Sequence, residues 1–530
     1  MPEKKCQIRI LPRGRLVEAR AGTNLMESLM DQGIFLRSDC GGKGICKKCR
    51  VKVASRNSGL ELKKACTFMV SEDVAIKIPE ISMLSSHIIN KAPVSLGPAF
   101  KKKFRNARGK KRWGIAADIG TTTIAVYLCD IKRGRVISSL SVKNPQALYG
   151  DDVMSRISAI ARDKKNLGHL QKLVVRAVEW GIKKLLARFD QKEAMISKAL
   201  AVGNPTMIHI LAGIDPESIG VFPYLPAFYE AKNFRSSDLG FKIKDFSIQV
   251  LPQVSGFIGG DILSAAIAIG LEQKPEGTLL IDLGTNGELM LKGKDRLFAT
   301  SCATGPAFEG ASLSCGMQAV PGAINKVQIK TMEGLPGYTF INPSNSPGLK
   351  PSGICGTGVI SAVAQFCKKS IIEPGGLFNK DGNIFSLKKD DQGKMQYMLA
   401  PEGVAEDNAV FISQKDIRSV QLGKAALITG IEFLLKEAGL VKPGKIIIAG
   451  AFGTYLDKED MTGLGMIPPM EPGQVEFSGN LAGAGAVMAL CDKTFTGEAI
   501  KMAAKISVVD LACNRDFQEV FINKLSFLSY

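Results

Sequence analysis

Two stretches share one pattern and decide the fold: Trp113-Gly-Ile-Ala-Ala-Asp118-Ile-Gly120-Thr121-Thr122-Thr123 and Leu279-Leu-Ile-Asp282-Leu-Gly284-Thr285-Asn286-Gly287. Each begins with an apolar run typical of a buried strand, turns tightly after an aspartate, and continues into a second apolar strand. The copies lie about 160 residues apart. This repetition predicts a duplicated α/β domain that clamps a nucleotide between its two halves.

The two turns carry groups that suit the phosphates of a nucleotide. Backbone N–H groups and hydroxyls in a Gly-Thr turn can hold phosphate oxygens, and an aspartate at a strand end can hold Mg²⁺, usually through water. A single turn of this kind could equally be a simple hairpin, but two of them favour a site. We predict that Asp118 and Asp282 organise Mg²⁺. The residues predicted to hold phosphates are Gly120, Thr121, Thr122, Gly284, Thr285 and Asn286.

A third stretch, Lys445-Ile-Ile-Ile-Ala-Gly450-Ala451-Phe452-Gly453, predicts a buried strand that runs into a glycine turn. A flat base could lie against the backbone of such a turn. The three motifs in this order resemble the actin, Hsp70 and sugar-kinase superfamily, known as ASKHA, whose domains have a duplicated RNase H-like α/β fold. The resemblance implies an ATPase domain over residues 113–530, with halves at about 113–275 and 276–530. It also implies that Gly450, Ala451 and Gly453 lie along the adenosine.

Four of the twelve cysteines form a pattern that indicates a metal centre. Cys40, Cys46, Cys49 and Cys66 are spaced C-x5-C-x2-C-x16-C, and glycines 41, 42 and 44 let the backbone approach a cluster closely. A [2Fe–2S] cluster needs four such thiolates. A structural zinc site with the same ligands is the alternative, but zinc cysteines usually come as two C-x2-4-C pairs and only one is present.

The sequence around these cysteines predicts a small domain over residues 1–80. Cys6 to Ile10 alternates like a strand, a turn follows at Pro12 to Arg15, and a second strand starts at Leu16. Asn24 with Glu27 forms a capping-box pattern for a helix that stops at Gly33. This order resembles the β-grasp ferredoxin domain and implies a [2Fe–2S] cluster. Five residues separate the first two cysteines, instead of the four of plant-type ferredoxins, and the cysteine loop is basic. The resemblance therefore extends to the cluster and not to the docking partners of plant ferredoxins.

The net charge of +19 over 530 residues is concentrated near one end. Residues 81–112 hold nine Lys and Arg and no Asp or Glu, whereas residues 113–530 hold 44 against 41. The segment 81–112 is therefore predicted to be a basic, flexible linker, or a docking strip for an acidic partner, and nucleic acid is not the expected partner. No signal peptide or membrane-spanning stretch is predicted, which makes the cytoplasm the simplest location.

A ferredoxin domain joined to an actin-like ATPase resembles the reductive activators of corrinoid proteins. Further strings look like that family, including Val202-Gly-Asn-Pro-Thr-Met, Gly305-Pro-Ala-Phe-Glu-Gly and Gly353-Ile-Cys-Gly356-Thr-Gly. The resemblance implies ATP-dependent, one-electron reduction of Co(II) to Co(I) in a transiently bound methyl-transfer protein. It also implies an external low-potential electron donor and makes a homodimer plausible. An activator of a radical dehydratase and a sugar kinase are the alternatives, although neither is expected to carry a ferredoxin domain.

Several further residues are candidates for the nucleotide site. Asp261 could position the attacking water or could be an ordinary charge at a helix N-terminus. Glu309 could reach the ribose or the base, or could pair with a basic side chain, and Gly356 is counted with the nucleotide-binding residues. His209 is a conceivable cobalt ligand, but a satisfied core histidine is the favoured interpretation.

Overall fold

A computed structural model gives the fold, which combines α-helices with mixed β-sheets. It describes residues 5–12, 14–36, 44, 48–55, 58–79, 82–83, 96, 100, 103–104, 112–189, 196–243, 245–310, 312–342, 345–379, 384–406, 408–450 and 456–527. Within these ranges, no helix combines the length and the apolar character needed to cross a membrane.

The N-terminal domain is a five-stranded mixed sheet, ordered β2-β1-β7-β4-β5, with one short helix. The predicted hairpin is confirmed, since β1 pairs antiparallel with β2, and β1 also pairs parallel with β7. Asn24 caps the helix as predicted by accepting bonds from the backbone N–H groups of Met26 and Glu27. The elements are β1 (Lys5–Leu11), β2 (Arg15–Arg20), β3 (Thr23–Asn24), α1 (Leu25–Asp31), β4 (Arg50–Ala54), β5 (Glu61–Lys64), β6 (Met69–Val70) and β7 (Val74–Lys77).

The first actin-like half contains a six-stranded sheet of order β10-β9-β8-β11-β13-β12. Three antiparallel strands form a meander, and β11 then pairs parallel with β8 and with β13. The strands are β8 (Trp113–Ile119), β9 (Thr123–Asp130), β10 (Arg135–Lys143), β11 (Ile196–Val202), β12 (Lys232–Arg235) and β13 (Ser247–Val250). The helices are α2 (Val153–Arg162), α3 (Lys165–Ala187), α4 (Pro205–Ala212) and α5 (Gly260–Ile269).

The second half repeats this plan in a sheet of order β24-β23-β14-β15-β16-β25, with two three-stranded sheets added. Its meander β14-β15-β16 matches β8-β9-β10, and the parallel strands β23 and β24 match β11 and β13. The strands are β14 (Thr278–Leu283), β15 (Gly287–Lys292), β16 (Leu297–Cys302), β17 (Ala323–Gln328), β18 (Gly337–Phe340), β19 (Gly353–Ile354), β20 (Leu387–Lys389), β21 (Met395–Ala400), β22 (Val410–Ser413), β23 (Lys445–Ala449), β24 (Val475–Phe477) and β25 (Ile506–Val508). The helices are α6 (Gly356–Lys368), α7 (Gln414–Ala438), α8 (Lys458–Gly463), α9 (Leu481–Cys491), α10 (Lys493–Ala503) and α11 (Phe517–Asn523).

The predicted linker falls mostly outside the described residues, but seven of its residues are described, and four of them contact the actin-like body or one another. Leu96 and Phe100 are buried, and the Phe100 ring lies 4.9 Å from Phe104 and 5.7 Å from Phe495 of α10. Lys103 forms an ion pair with Asp492. This part of the segment is therefore attached to the actin-like body, while the flexibility expected of the rest stays a prediction.

The two actin-like halves share a core formed by α5 and α9, which pack tightly between the two six-stranded sheets. Gly485 of α9 makes this approach possible, because a Cβ at that position would lie 1.9 Å from the carbonyl oxygen of Ser264. The Ser264 hydroxyl also donates to the carbonyl of Ala482 at 2.7 Å. The geometry of the cleft between the halves thus depends on the contact between these two helices.

Gly485→Ala is expected to lower the free energy of unfolding by about 1–3 kcal/mol, since a side chain must be forced into a filled contact. Thermal unfolding followed by circular dichroism measures the effect. Gly497→Ala on α10 is the matched control, because a Cβ there meets no atom within 4 Å. That change is expected to raise stability by about 0.5–1 kcal/mol through helix propensity. Equal melting temperatures for the two variants would contradict the role given to the α5–α9 contact.

Candidate functional site

The two repeated turns meet at a buried cavity of about 80 Å³ between the halves. The volume is sufficient for several water molecules, and therefore for a hydrated ion or a phosphoryl group. Both halves contribute to the walls, which consist of Asp118, Gly120, Thr121, Thr123, Asn204, Asp261, Asp282, Leu283, Gly284, Thr285, Asn286, Glu288, Glu309, Gly450, Asn480 and Ala482. Most of the residues predicted for Mg²⁺ and phosphate are thus placed around one space.

A chain of hydroxyls joins the turns across the cleft. Thr122 Oγ1 lies 2.8 Å from Thr285 Oγ1, and the Thr285 hydroxyl donates to a carboxylate oxygen of Glu309. Since Thr285 donates to Glu309, it accepts from Thr122. Thr122 is therefore at the contact between the halves, and the neighbouring Thr121 and Thr123 line the cavity.

Three amide side chains that the sequence analysis missed hold the cleft together. Asn480 donates to Asp118 Oδ2 at 2.6 Å, and its own side-chain oxygen caps α9 by accepting from the backbone N–H of Gly483. Gln318 donates to the Thr123 hydroxyl at 3.1 Å, again across the two halves. Asn204 donates to the Thr121 hydroxyl at 3.0 Å while it caps α4. Asn204 belongs to the Val202-Gly-Asn-Pro-Thr-Met string noted above, but no role was assigned to it. No local motif marks Asn480 or Gln318, because each acts on a turn far away in sequence.

Arg156 fixes the first turn from behind and was also missed. Its guanidinium is fully buried and donates to the carbonyl of Thr121 at 2.6 Å and to Gln146 Oε1 at 3.0 Å. Burial lowers the pKa of Arg156 to about 10, although nearby carboxylates, Asp152 first among them, raise it. The guanidinium therefore remains a positive charge next to the predicted phosphate turn at neutral pH.

Glycine is required where β23 ends beside β14. Gly450 has φ +106°, and a Cβ there would lie 2.5 Å from the carbonyl oxygen of Leu283. Ala451 and Gly453, predicted to lie along the adenosine, fall outside the described residues. Gly356, counted with the nucleotide-binding residues, is not among the residues that line this cavity, so its assignment stays a prediction. It starts α6, where a Cβ would lie 1.7 Å from the carbonyl oxygen of Phe308, so close packing of α6 is the reason for glycine there.

Two further carboxyl groups line the cavity, namely the partly exposed Asp261 and the buried Glu288. Burial, and next the neighbouring Asp118, raises the pKa of Asp261 to about 7, although its Oδ1 accepts from the backbone N–H of Ile262 at 2.9 Å. Glu288, which pairs with Asp282 across β14 and β15, has its pKa raised by burial and by Asp261 and Asp282. Asp261 also lies in the first turn of α5. It therefore stands at a helix N-terminus, as one of its two interpretations expected, and at the same time lines the cavity. Glu288 was missed by the sequence analysis.

Two of the four predicted cluster ligands are described, namely Cys49 and Cys66. Both side chains are buried, and backbone bonds connect their segments, since the N–H of Ala65 donates to the carbonyl of Cys49 at 3.0 Å. Asn24 donates from its side chain to the carbonyl of Cys66 at 2.6 Å. Cys40 and Cys46 lie outside the described residues. Two adjacent thiolates in a β-grasp domain fit half of the ligand set that a [2Fe–2S] cluster needs.

His209 is a satisfied core histidine, the interpretation favoured from the sequence. Its Nδ1 lies 2.7 Å from the carbonyl of Pro205, and its Nε2 accepts from the backbone N–H of Ala227 at 2.9 Å. The ring stacks on Phe228 with centroids 4.7 Å apart, and burial lowers its pKa. Neither nitrogen is therefore available to a cobalt ion in this structure.

These features define a class: an iron–sulfur protein whose second part is an ASKHA-type domain. Three family descriptions match the chain in this order. They are the "2Fe-2S iron-sulfur cluster binding domain" over residues 8–72, the "RACo middle region" over 113–274, and the "C-terminal domain of RACo the ASKHA domain" over 276–529. The chain belongs to the family of reductive activators of corrinoid proteins.

Individual relatives agree with this family. The corrinoid activation enzyme RamQ of Eubacterium limosum is 31% identical over 80% of this chain and 71% of its own length. The reductase of a Co(II) methylated amine-specific corrinoid protein from Methanosarcina barkeri is 27% identical over 78% and 77% of the two chains. A solved structure of a reductive activator for a corrinoid, iron-sulfur protein is 27% identical, covers 98% of both chains and has a TM-score of 0.73.

Asp261→Asn is expected to stabilise the nucleotide-free protein at alkaline pH. The pKa of Asp261 is about 7 in the folded protein and 3.8 when unperturbed, so between these values the folded state retains a proton that the unfolded state has lost. Stability therefore falls as the pH rises through this window, and asparagine removes the effect.

We expect the variant to melt several degrees above the parent protein at about pH 8 and at nearly the same temperature near pH 4. Differential scanning calorimetry across this range provides the measurement. The matched control is Asp391→Asn, an exposed aspartate in a turn, which should leave the pH profile unchanged. A lower melting temperature for Asp261→Asn at pH 8 would mean that the ionised carboxylate is stabilising and would contradict the assignment.

Proposed function

We propose that this chain is an ATP-dependent reductive activator that restores the inactive Co(II) corrinoid of a methyl-transfer protein to Co(I) by one-electron transfer. The observation that carries the proposal is the presence, in one chain, of a ferredoxin-type domain and a cleft where two Asp-x-Gly-Thr turns meet. The family relationship supports reductive activation of corrinoid proteins. The residues of the cleft support the dependence on ATP.

Energetics explain why such a protein would need a nucleotide. A plant-type [2Fe–2S] cluster supplies single electrons near ~−400 mV when it is bound. Co(I) forms at a lower potential, and each ~59 mV of unfavourable difference costs about 1.4 kcal/mol for one electron. The transfer is therefore uphill. Nucleotide can drive it only if the ligand state of the cleft changes how the chain binds its Co(II) partner.

The residues of the cleft divide into three roles in this proposal. Asp118 and Asp282 organise Mg²⁺, largely through water, because Mg²⁺ in phosphate sites keeps several waters and uses one or two carboxylates. Within the described part of the chain, no three His, Cys, Asp or Glu side chains form a ready-made metal site, which agrees with a hydrated ion. Asp261 positions the attacking water. The phosphates are held by Gly120, Thr121, Gly284, Thr285 and Asn286 and by the charge of Arg156.

Electron transfer requires partners on both sides of the chain. We infer a transient complex with the corrinoid protein and an external low-potential donor that reloads the N-terminal domain. Cysteines of the second part, such as Cys129, Cys302 and Cys367, are buried free thiols, which suits a reducing compartment such as the cytoplasm. A homodimer fits the proposal but is not needed by the chemistry derived from one chain.

Loss of a cleft carboxylate is expected to abolish ATP-driven cobalt reduction. Under anaerobic conditions, the absorbance of a purified Co(II) corrinoid protein is followed with this protein, a chemical reductant and Mg-ATP. We expect the Co(I) spectrum only when ATP is present, and a fall in rate of at least about 100-fold in Asp282→Ala. Asp391→Asn, on an exposed turn, is the control that should keep the full rate. If several corrinoid partners show no ATP effect, the proposed function is wrong.

Cluster loading gives an independent check of the N-terminal domain. The reconstituted protein should contain two iron atoms per chain and show the EPR signal of a reduced [2Fe–2S] centre. Cys66→Ser is expected to lose most of this signal, because a hydroxyl replaces a buried thiolate ligand. Cys513→Ser changes an exposed thiol in the distant C-terminal region and should retain it. A zinc content of one per chain without iron would contradict the cluster assignment.

A further inference from the structure

The N-terminal domain lies against the first actin-like half through a small, charged contact. The Tyr149 hydroxyl donates to Glu27 Oε1 at 2.9 Å, and Lys172 of α3 pairs with Asp31 at 2.5 Å. Beside these polar contacts, the ring of Phe35 meets Trp180 edge-on with centroids 5.9 Å apart. The N-terminal domain is basic overall, yet helix α1 presents two acids to a helix with four lysines. The charges of the two faces are therefore complementary.

Within the N-terminal domain, the contact residue Glu27 is one helical turn from Asn24, which bonds to the predicted cluster ligand Cys66. Glu27 lies in the first turn of α1, which Asn24 caps. The Asn24 side chain also donates to the carbonyl of Cys66, and the backbone N–H of Met26 donates to the carbonyl of Ala65 at 3.1 Å. A displacement of Glu27 is thus transmitted to the segment that carries Cys66.

On the other side, the same tyrosine is connected to the first phosphate turn. Tyr149 directly follows a 3₁₀ turn over Pro145–Leu148, and its backbone N–H donates to the carbonyl of Gln146 at 2.9 Å. The buried side chain of Gln146 accepts from Asn144 at 3.1 Å and from Arg156 at 3.0 Å.

Those two donors reach the turn itself. Asn144 donates to the carbonyl of Gly120 at 3.0 Å, and Arg156 donates to the carbonyl of Thr121 at 2.6 Å. Arg156 also donates to the carbonyl of Gly150, the residue after Tyr149, at 3.1 Å. One buried group of side chains therefore holds both the proposed phosphate turn and the loop that carries the tyrosine.

The geometry points to Tyr149 as a positioning residue that releases the iron–sulfur domain when nucleotide fills the cleft. Phosphates at Gly120 and Thr121 would attract Arg156, and the loop at Gln146 to Gly150 would move with it and withdraw Tyr149 from Glu27. Among the described residues, the contact then retains the partly exposed Lys172–Asp31 ion pair and the edge-on packing of Phe35 against Trp180, so loss of the tyrosine bond weakens the docking. The released domain can then approach a bound partner. This inference rests on the proposed nucleotide site.

Trp180 provides a direct measure of docking. The chain has only two tryptophans, and Trp113 is buried in β8, away from the contact. An iron–sulfur cluster quenches nearby indole emission, so release of the domain should raise the emission of Trp180. In the cluster-loaded Trp113→Phe variant, we expect an increase with Mg-ATP or a non-hydrolysable analogue. Hydrogen exchange of α1 and α3 in the unmodified protein should rise in parallel, which keeps the test valid if that variant folds poorly.

A change in ATP affinity on weakening the contact would show that docking of the N-terminal domain and ATP binding are coupled. If ATP favours release, then weakening the contact must tighten ATP binding, at most by the factor by which ATP shifts the docking equilibrium. Tyr149→Phe, measured with a fluorescent ATP analogue, should increase affinity by at least about fivefold and show high Trp180 emission without nucleotide. Glu27→Gln retains an acceptor oxygen and should show a smaller change. Tyr229→Phe, at a half-exposed tyrosine far from α1, is the matched control and should show neither effect.

The outcomes separate this inference from the proposed function. If ATP binds and drives cobalt reduction, but neither Trp180 emission nor the affinity of Tyr149→Phe responds, only the positioning role of Tyr149 is overturned. Weaker ATP binding in Tyr149→Phe would likewise overturn it, since the tyrosine would then support the nucleotide site. If ATP does not bind at all, the proposed function and this inference are both wrong.

Discussion

Repulsion between carboxyl groups in one buried cleft is the constraint on which the rest of the structure depends. Asp118 and Asp282 come from opposite halves, and Asp261 and Glu288 stand beside them in a small cavity. Like charges interact strongly where water is scarce. The protein offsets part of this cost by donating Asn480 to Asp118 and by raising the pKa of Asp261 and Glu288. A site arranged in this way favours cations, which is why the proposed ligand is a magnesium nucleotide.

Because the acids come from both halves, whatever neutralises them also pulls the halves together. The hydroxyl chain from Thr122 through Thr285 to Glu309 shows how closely the turns already approach. Behind the first turn, α3 packs on β9 and β10 and meets the iron–sulfur domain on its outer side. The proposed nucleotide cleft and the ferredoxin-type domain are thus separated by one layer of secondary structure.

The sequence predicted those parts of the site that are local in the chain. Both Asp-x-Gly-Thr turns, their flanking strands and the cap at Asn24 are encoded by adjacent residues, and the structure confirms the strands and the cap. Asn480, Gln318 and Arg156 were missed because each acts across long sequence distances, and buried amides leave no periodic signal. Gly356 shows that one glycine can have more than one explanation. Its assignment to the nucleotide stays a prediction, and close contact with the backbone of Phe308 already requires glycine at this position.

The position of α9 late in the sequence affects how the protein folds during translation. Leu481 and Val487 complete a core whose other members include Ala116 and Tyr127 of the first half. The ribosome finishes the first half about 200 residues before it reaches that helix. At ~5–20 residues per second, the apolar face of the first sheet waits roughly 10 to 40 s for its cover. During that interval the nascent chain presents a ready surface to chaperones, and the synthesis of α9 determines when that surface is covered.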